Sequence, residues 1–272
     1  MNKKSINYFE NYRIVKTNNL EYLQFNKLLE YQDDLSHALF LKTYDTSFSL
    51  DYNTNLRENT IKKISKEFNI PLSNFVQAHQ KHTNNIEKLD STNIQIYNNV
   101  DGFETNKKNI ASIITFADCM PILLYDPLKK VYSNIHSGWK GVVKKIALVG
   151  VSRLISDYGS NVKDIICLIG PNIHKENFLV NDDVKNLYES NFDNELLKKY
   201  NIIEKTDFSN EIGIQYRIDN NLLIELLLKE IGLQSQNIIN CNICTFKNNN
   251  LFHSRRSNKN NHRLNGCFML LK

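Results

Sequence analysis

The chain has 272 residues, 41% hydrophobic and 10% aromatic, enough to bury a core and too apolar for a disordered segment. Its formal charge of +5, from 34 basic and 29 acidic residues, suits an anionic small molecule and is too slight to mark a nucleic-acid binder. No apolar run reaches the roughly eighteen residues of a membrane span, and the charged start MNKKSINYFENYRIVKTNN lacks a secretory core.

The elements follow in order. Apolar residues at helical spacing predict a helix over 54–68, ending near Asn69 and Pro71. The run IASIITF predicts a strand over 110–116. It breaks at Ala117-Asp118-Cys119-Met120-Pro121 and resumes over 122–125, before a turn at Asp126-Pro127 and a strand over 131–135. A helix is expected over 142–158, a buried strand over 163–169 and a helix over 219–231 between an Asp/Asn start and Gly232. Short strands at 238–244 and 265–271 complete the pattern. Strands alternating with helices predict an α/β layered fold, and the hairpin-like 110–135 stretch predicts a mixed sheet. With no repeat period and no Pro/Gly/Ser linker, residues 1–272 read as one domain.

Three motifs stand apart from this core pattern. Gln77-Ala78-His79 follows a strand-like stretch, Asp118-Cys119-Met120-Pro121 sits at the break between two strands, and His136-Ser137-Gly138-Trp139 leads from strand to helix. Each sets one metal-competent side chain where a strand gives way to a turn, which is where sites gather in layered α/β folds. Two imidazoles and a thiolate, His79, Cys119 and His136, make a zinc set with the fourth position open. The spacing matches no compact metal signature, and His82 could replace His79 or share its site. The five cysteines (Cys119, Cys167, Cys241, Cys244, Cys267) are odd in number and scattered, which points to free thiols in a reducing cytoplasm. Cys241-x-x-Cys244 has no second pair and reads as structural thiols.

At these residues the sequence resembles the YfiH family, formerly multicopper polyphenol oxidase or laccase-domain proteins and now assigned as purine nucleoside phosphorylases. The likeness rests on Gln77-x-His79, Thr115-x-Ala117-Asp118-Cys119-x-Pro121, Asp126-Pro127 and His136-x-Gly138-Trp139-Lys140-Gly141. It continues through Ile169-Gly170-Pro171, Cys244-Thr245 and Phe252-x-Ser254-Arg255-Arg256 with Arg263, covering about residue 70 to 272. It implies a single α/β/α-layered domain with a mixed sheet and a zinc ion on His79, Cys119 and His136, and it leaves His82 outside the motif. Lys140 departs from the family's Arg, keeping the charge and losing the bidentate fork. The N-terminal pattern is poorly met, with Lys42 at an Arg position.

The activity implied is zinc-dependent phosphorolysis of adenosine, inosine and S-methyl-5'-thioadenosine, with adenosine deamination as a companion reaction. Copper is the alternative metal. Arg255, Arg256 and Lys140 are the expected phosphate partners, and Asp118 is the expected acid/base. The partners are then small molecules, with no nucleic acid and no membrane. Two other readings are a Cys119–His136 amide hydrolase of the peptidoglycan-editing kind and a laccase-like oxidase. Seven histidines without His-x-His pairs are a poor supply for a multicopper cluster.

Overall fold

Two mixed β-sheets, packed face to face, form the centre of the computed structural model, which describes residues 4–43, 45–50, 54–206, 215–260 and 262–272. The larger sheet has eight strands, in the order Ser5–Tyr8, Tyr12–Lys16, Glu21–Phe25, Leu35–Phe40, Asn265–Leu271, Ala111–Phe116, Phe75–His79 and Ile96–Asn98. The smaller has six: Ile238–Asn240, Ile166–Ile169, Met120–Asp126, Val131–Ser137, Gly102–Thr105 and Ile86–Lys88. Both combine parallel and antiparallel pairs. The expected α/β class with a mixed sheet is therefore present, with two mixed sheets where the sequence suggested one and a further three-stranded antiparallel sheet.

The reason is visible in the strand Met120–Asp126. All seven residues are buried, because both faces are covered. Ile122 and Leu124 face a core shared with the helices, while Leu123 and Tyr125 face a core shared with the eight-stranded sheet. Each such side chain contributes about 2 kcal/mol by leaving water. The far face of the larger sheet is covered by the helix Thr54–Phe68, which buries Ile61 and Ile64 beside Phe75 and Phe268. The layers thus run helix, sheet, sheet, helices.

The helix expected over 142–158 is two helices, Trp139–Val143 and Ile146–Tyr158, broken at Lys145 in the left-handed region (φ +59°). The apolar pattern could not reveal the break. Val142, Ile146, Gly150 and Leu154 are all buried at a regular spacing of four that runs straight through it. The helix Asn220–Glu230 begins as expected, with the Asp219 carboxylate accepting from the Leu222 amide at 3.0 Å.

Candidate metal centre and active site

The hairpin of Met120–Asp126 and Val131–Ser137 sets the centre. Its register pairs Pro121 with His136 and Met120 with Ser137, so Cys119, one residue outside it, arrives beside Gly138. A Cβ on Gly138 would lie 3.0 Å from Cys119 Sγ and 2.5 Å from His82 Cδ2, which is why this position carries no side chain. The neighbouring strand Gly102–Thr105 pairs Gly102 with Ile135, which brings Asp101 against His136. The His136 amide donates to the Asp101 carbonyl at 2.7 Å, and His136 Nδ1 lies 2.9 Å from Asp101 Oδ1.

Asp101, fully buried, also pins the loop after Phe75–His79. Its carboxylate accepts from the amides of Lys81, His82 and Thr83 at 3.2, 3.0 and 2.8 Å, and from the Thr83 hydroxyl at 2.7 Å. His82 takes a left-handed backbone (φ +57°) at the centre of this grip. Its Nε2 lies 3.6 Å from Cys119 Sγ, and its ring meets that of His136 edge-on at 5.0 Å between centroids.

The donor atoms of His82, Cys119 and His136 all lie within 4.8 Å of one another, the one such group among the described residues. The sequence reading had His79 in this place and His82 outside. His79 lines the same cleft but is not in the group, because it is the last residue of its strand, paired with Asn98, while the chain turns His82 inward three residues later. The sequence does carry the signal. Gln77-Ala78-His79-Gln80-Lys81-His82 repeats Gln-x-His twice, and the second copy is the one that reaches Cys119.

Electrostatics tie the group together. Burial disfavours the Cys119 thiolate, yet the charge and hydrogen bonds of His136 and His82 outweigh it and bring the thiol down to about 6. Burial opposes the His136 imidazolium, and the Cys119 thiolate and Asp101 carboxylate outweigh that and raise it. Asp101 is held well below the usual carboxylate range, hydrogen bonds from His136 and Thr83 overcoming its burial.

The cleft around this group encloses roughly 480 Å³. Trp139, Ile173 and Phe178 give it apolar walls, and Lys81, Arg255, Arg256 and Lys259 line it with positive charge. Asp118 is the one carboxylate on its lining among the described residues. This residue was expected to move protons, but both of its oxygens are engaged. One accepts from the Thr245 hydroxyl at 2.7 Å and the other from the Arg256 amide at 2.7 Å. With φ at +85°, Asp118 is a strained corner that fixes the 254–257 loop over the cleft. The Arg256 guanidinium likewise faces inward, donating to the carbonyls of Asn177 and Leu179 at 3.1 Å each and stacking on Phe178. Arg255 is exposed on the cleft rim, while Lys140 is exposed beside Trp139 and is not on the lining.

Comparison with known proteins supplies the context. The model of the family described as multi-copper polyphenol oxidoreductase laccase matches residues 35–270. A curated relative from Bacillus subtilis (strain 168), purine nucleoside phosphorylase YlmD, is 31% identical over 201 residues, covering 71% of this chain and 69% of that protein. Purine nucleoside phosphorylase LACC1 of Mus musculus is 29% identical over 133 residues, 49% of this chain, and the match spans only 30% of that longer protein. The crystal structure of Bacillus licheniformis hypothetical protein YfiH shares the fold, with a TM-score of 0.81 at 23% identity over 92% of this chain and 96% of that one.

Proposed function

Because the chain belongs to the multi-copper polyphenol oxidoreductase laccase family, and relatives in it carry the name purine nucleoside phosphorylase, we propose that it is a metal-dependent purine nucleoside phosphorylase of the cytoplasm. Its substrates are purine nucleosides such as adenosine, inosine and S-methyl-5'-thioadenosine, with inorganic phosphate. The observation that carries this reading is one cleft holding both a His82–Cys119–His136 donor group and a cationic lining with apolar walls.

The donors fit zinc. A tetrahedral ion with nitrogen at about 2.05 Å and sulfur at about 2.3 Å sets those donors about 3.6 Å apart, and Cys119 Sγ and His82 Nε2 are 3.6 Å apart. The Asp101–His136 pair is the carboxylate–imidazole arrangement that fixes a ligand's tautomer, turning Nε2 toward the ion. Copper would accept the same donors, but one group among the described residues does not make a multicopper cluster. A bound zinc would supply a Lewis acid beside the reacting oxygens.

The chain's own residues do the rest. Arg255 and Lys259 hold the phosphate at the rim, and Trp139, Ile173 and Phe178 cover the nucleoside and exclude water. An oxygen of hydrogen phosphate attacks the anomeric carbon, the glycosidic bond breaks with its electrons passing to the base, and the base takes up the proton that the phosphate gives up, leaving the sugar 1-phosphate. Deamination is not carried into this proposal, because Asp118, its intended acid/base, has both oxygens engaged.

One observation favours a second reading. Cys119, His136 and Asp101 form a thiolate–imidazole–carboxylate row, the layout of a cysteine hydrolase acting on amides. Metal decides between the two, since a zinc-bound thiolate is a poor free nucleophile. Metal analysis and an inosine-plus-phosphate assay should show that His82→Ala, Cys119→Ala and His136→Ala each lose both metal and phosphorolysis, with His79→Ala keeping its metal. Full phosphorolysis by a metal-free Cys119→Ala protein would overturn the metal reading. Fast alkylation of Cys119 by iodoacetamide in the metal-loaded protein would favour the hydrolase.

A further inference from the structure

Three carboxamides line the cleft: Gln80, Asn172 and Asn220. Two of them are engaged through both their oxygen and their nitrogen. Gln80 donates to the Thr115 carbonyl at 2.8 Å while its oxygen accepts from the Thr115 amide at 2.7 Å and hydroxyl at 3.0 Å. Asn172 donates to the Gly170 carbonyl and to Asn221 Oδ1, and accepts from Asn221 Nδ2 at 2.9 Å. Asn220 differs. Its Oδ1 accepts from the hydroxyl of Tyr188 at 2.7 Å, and its Nδ2 has no partner among the described residues, although the residue is only 9% exposed.

Tyr188 sets this orientation. It is wholly buried in the helix Asp182–Asn191, and burial keeps its phenol protonated and available as a donor. A donating hydroxyl holds the amide oxygen, so the NH2 group is what remains for the cleft. Asn220 opens the helix Asn220–Glu230, and the helix Trp139–Val143 packs against both that helix and Asp182–Asn191. The Asn220 amide and the Trp139 ring both line the cleft.

We infer that Asn220 reads the base of the bound nucleoside and turns the site toward 6-oxopurines. This rests on the phosphorylase reading. Hypoxanthine and guanine present two acceptors on one edge, O6 and N7, which a single NH2 group can approach together. Adenine keeps N7 but presents an NH2 group in place of O6, so the amide loses its second acceptor and meets a donor there instead. Tyr188 acts through Asn220 as a positioning residue.

The lone tryptophan is Trp139, so its fluorescence reports base binding without any turnover. The purified, metal-loaded protein is titrated with hypoxanthine and with adenine, and kcat/KM is measured for inosine and adenosine with phosphate. Hypoxanthine should bind roughly tenfold tighter than adenine, the discrimination expected of one buried hydrogen bond exchanged for a donor–donor clash. Asn220→Asp, which replaces the donor by an acceptor, should reverse the ratio, and Asn220→Ser should bring it near one. Tyr188→Phe frees the amide to turn and should shrink the ratio while leaving metal content unchanged. Equal binding of the two bases, an adenine preference in the wild type, or a ratio that neither Asn220 variant moves would overturn the inference. A hypoxanthine preference that Asn220→Asp reverses, in a protein that never cleaves inosine, would keep the base contact and sink the phosphorylase reading. Phosphorolysis with a ratio indifferent to Asn220 would do the opposite.

Discussion

Asp118 has a backbone at φ +85° and a carboxylate shared between the Thr245 hydroxyl and the Arg256 amide, which makes it a test of role by single atoms. An Asn there can still accept from Arg256 and donate to Thr245. Asp118→Asn should therefore keep most of the activity, whereas Asp118→Ala should lose about 2 kcal/mol of stability in denaturant unfolding, the cost of two orphaned donors. An acid/base role would instead make Asp118→Asn inactive. Gly138 gives a second test. A methyl group there meets the His82 ring and the Cys119 sulfur, so Gly138→Ala should displace the donors and weaken metal affinity at least tenfold by chelator competition, with little change in the far-ultraviolet circular dichroism spectrum. At this scale the sequence singled out Cys119 and His136 as candidates, because each stands alone at the end of an apolar strand. It favoured His79 over His82, although both fall in the same Gln-x-His pattern and the structure puts His82 beside Cys119. That choice is made by three backbone amides reaching Asp101, a contact between residues about twenty apart that no local pattern encodes.

The elements explain why donors so scattered in the chain meet. A hairpin register places Cys119 beside His136, and a neighbouring strand carries Asp101 to both His136 and the 81–83 loop. Asp101 thus holds His136 and the loop that carries His82 from one carboxylate. Asp101→Asn keeps the size but weakens the hold on His136 and on the loop amides, and isothermal titration should show zinc affinity reduced 10- to 100-fold. An unchanged affinity would mean that the loop is held in place by other contacts, such as Gln80 on Thr115. Some element boundaries were legible: the helix Thr54–Phe68, the hairpin strands, the Asp219 cap and the strand Asn265–Leu271 follow from periodicity and turn residues, while the strands before residue 41 and the helices Asp182–Asn191 and Asn194–Lys199 were not. The break at Lys145 was not, since its cause is a backbone angle in a stretch whose apolar spacing never falters.

For the whole molecule, alternating strands and helices gave the α/β class, but two face-to-face sheets could not be read from them. Strand pairing is non-local, and a strand buried on both faces looks the same whether a helix or a second sheet covers it. The larger sheet also holds a titrating group remote from the cleft. His37 is 1% exposed, its Nε2 accepts from the Phe25 amide at 2.8 Å, and burial, with Arg13 nearby, pushes its pKa down to about 3. The folded state keeps this imidazole neutral while the unfolded chain protonates it near pH 6.5, so its share of stability is present above that pH and lost as the pH falls below it. Between pH 7 and pH 5 the loss should be about 2 kcal/mol in denaturant unfolding, and His37→Gln, which can still accept from Phe25, should flatten that slope. The strand Asn265–Leu271 has a further consequence. It lies between Leu35–Phe40 and Ala111–Phe116 and pairs with both. During synthesis Ala111–Phe116 waits some 150 residues and Leu35–Phe40 some 225 for their shared neighbour, which at about 5–20 residues per second means roughly ten seconds or more with bare edges. The nascent chain spends that interval open to misdirected pairing, so soluble yield should respond to translation speed and chaperone supply more than to the stability of the finished protein.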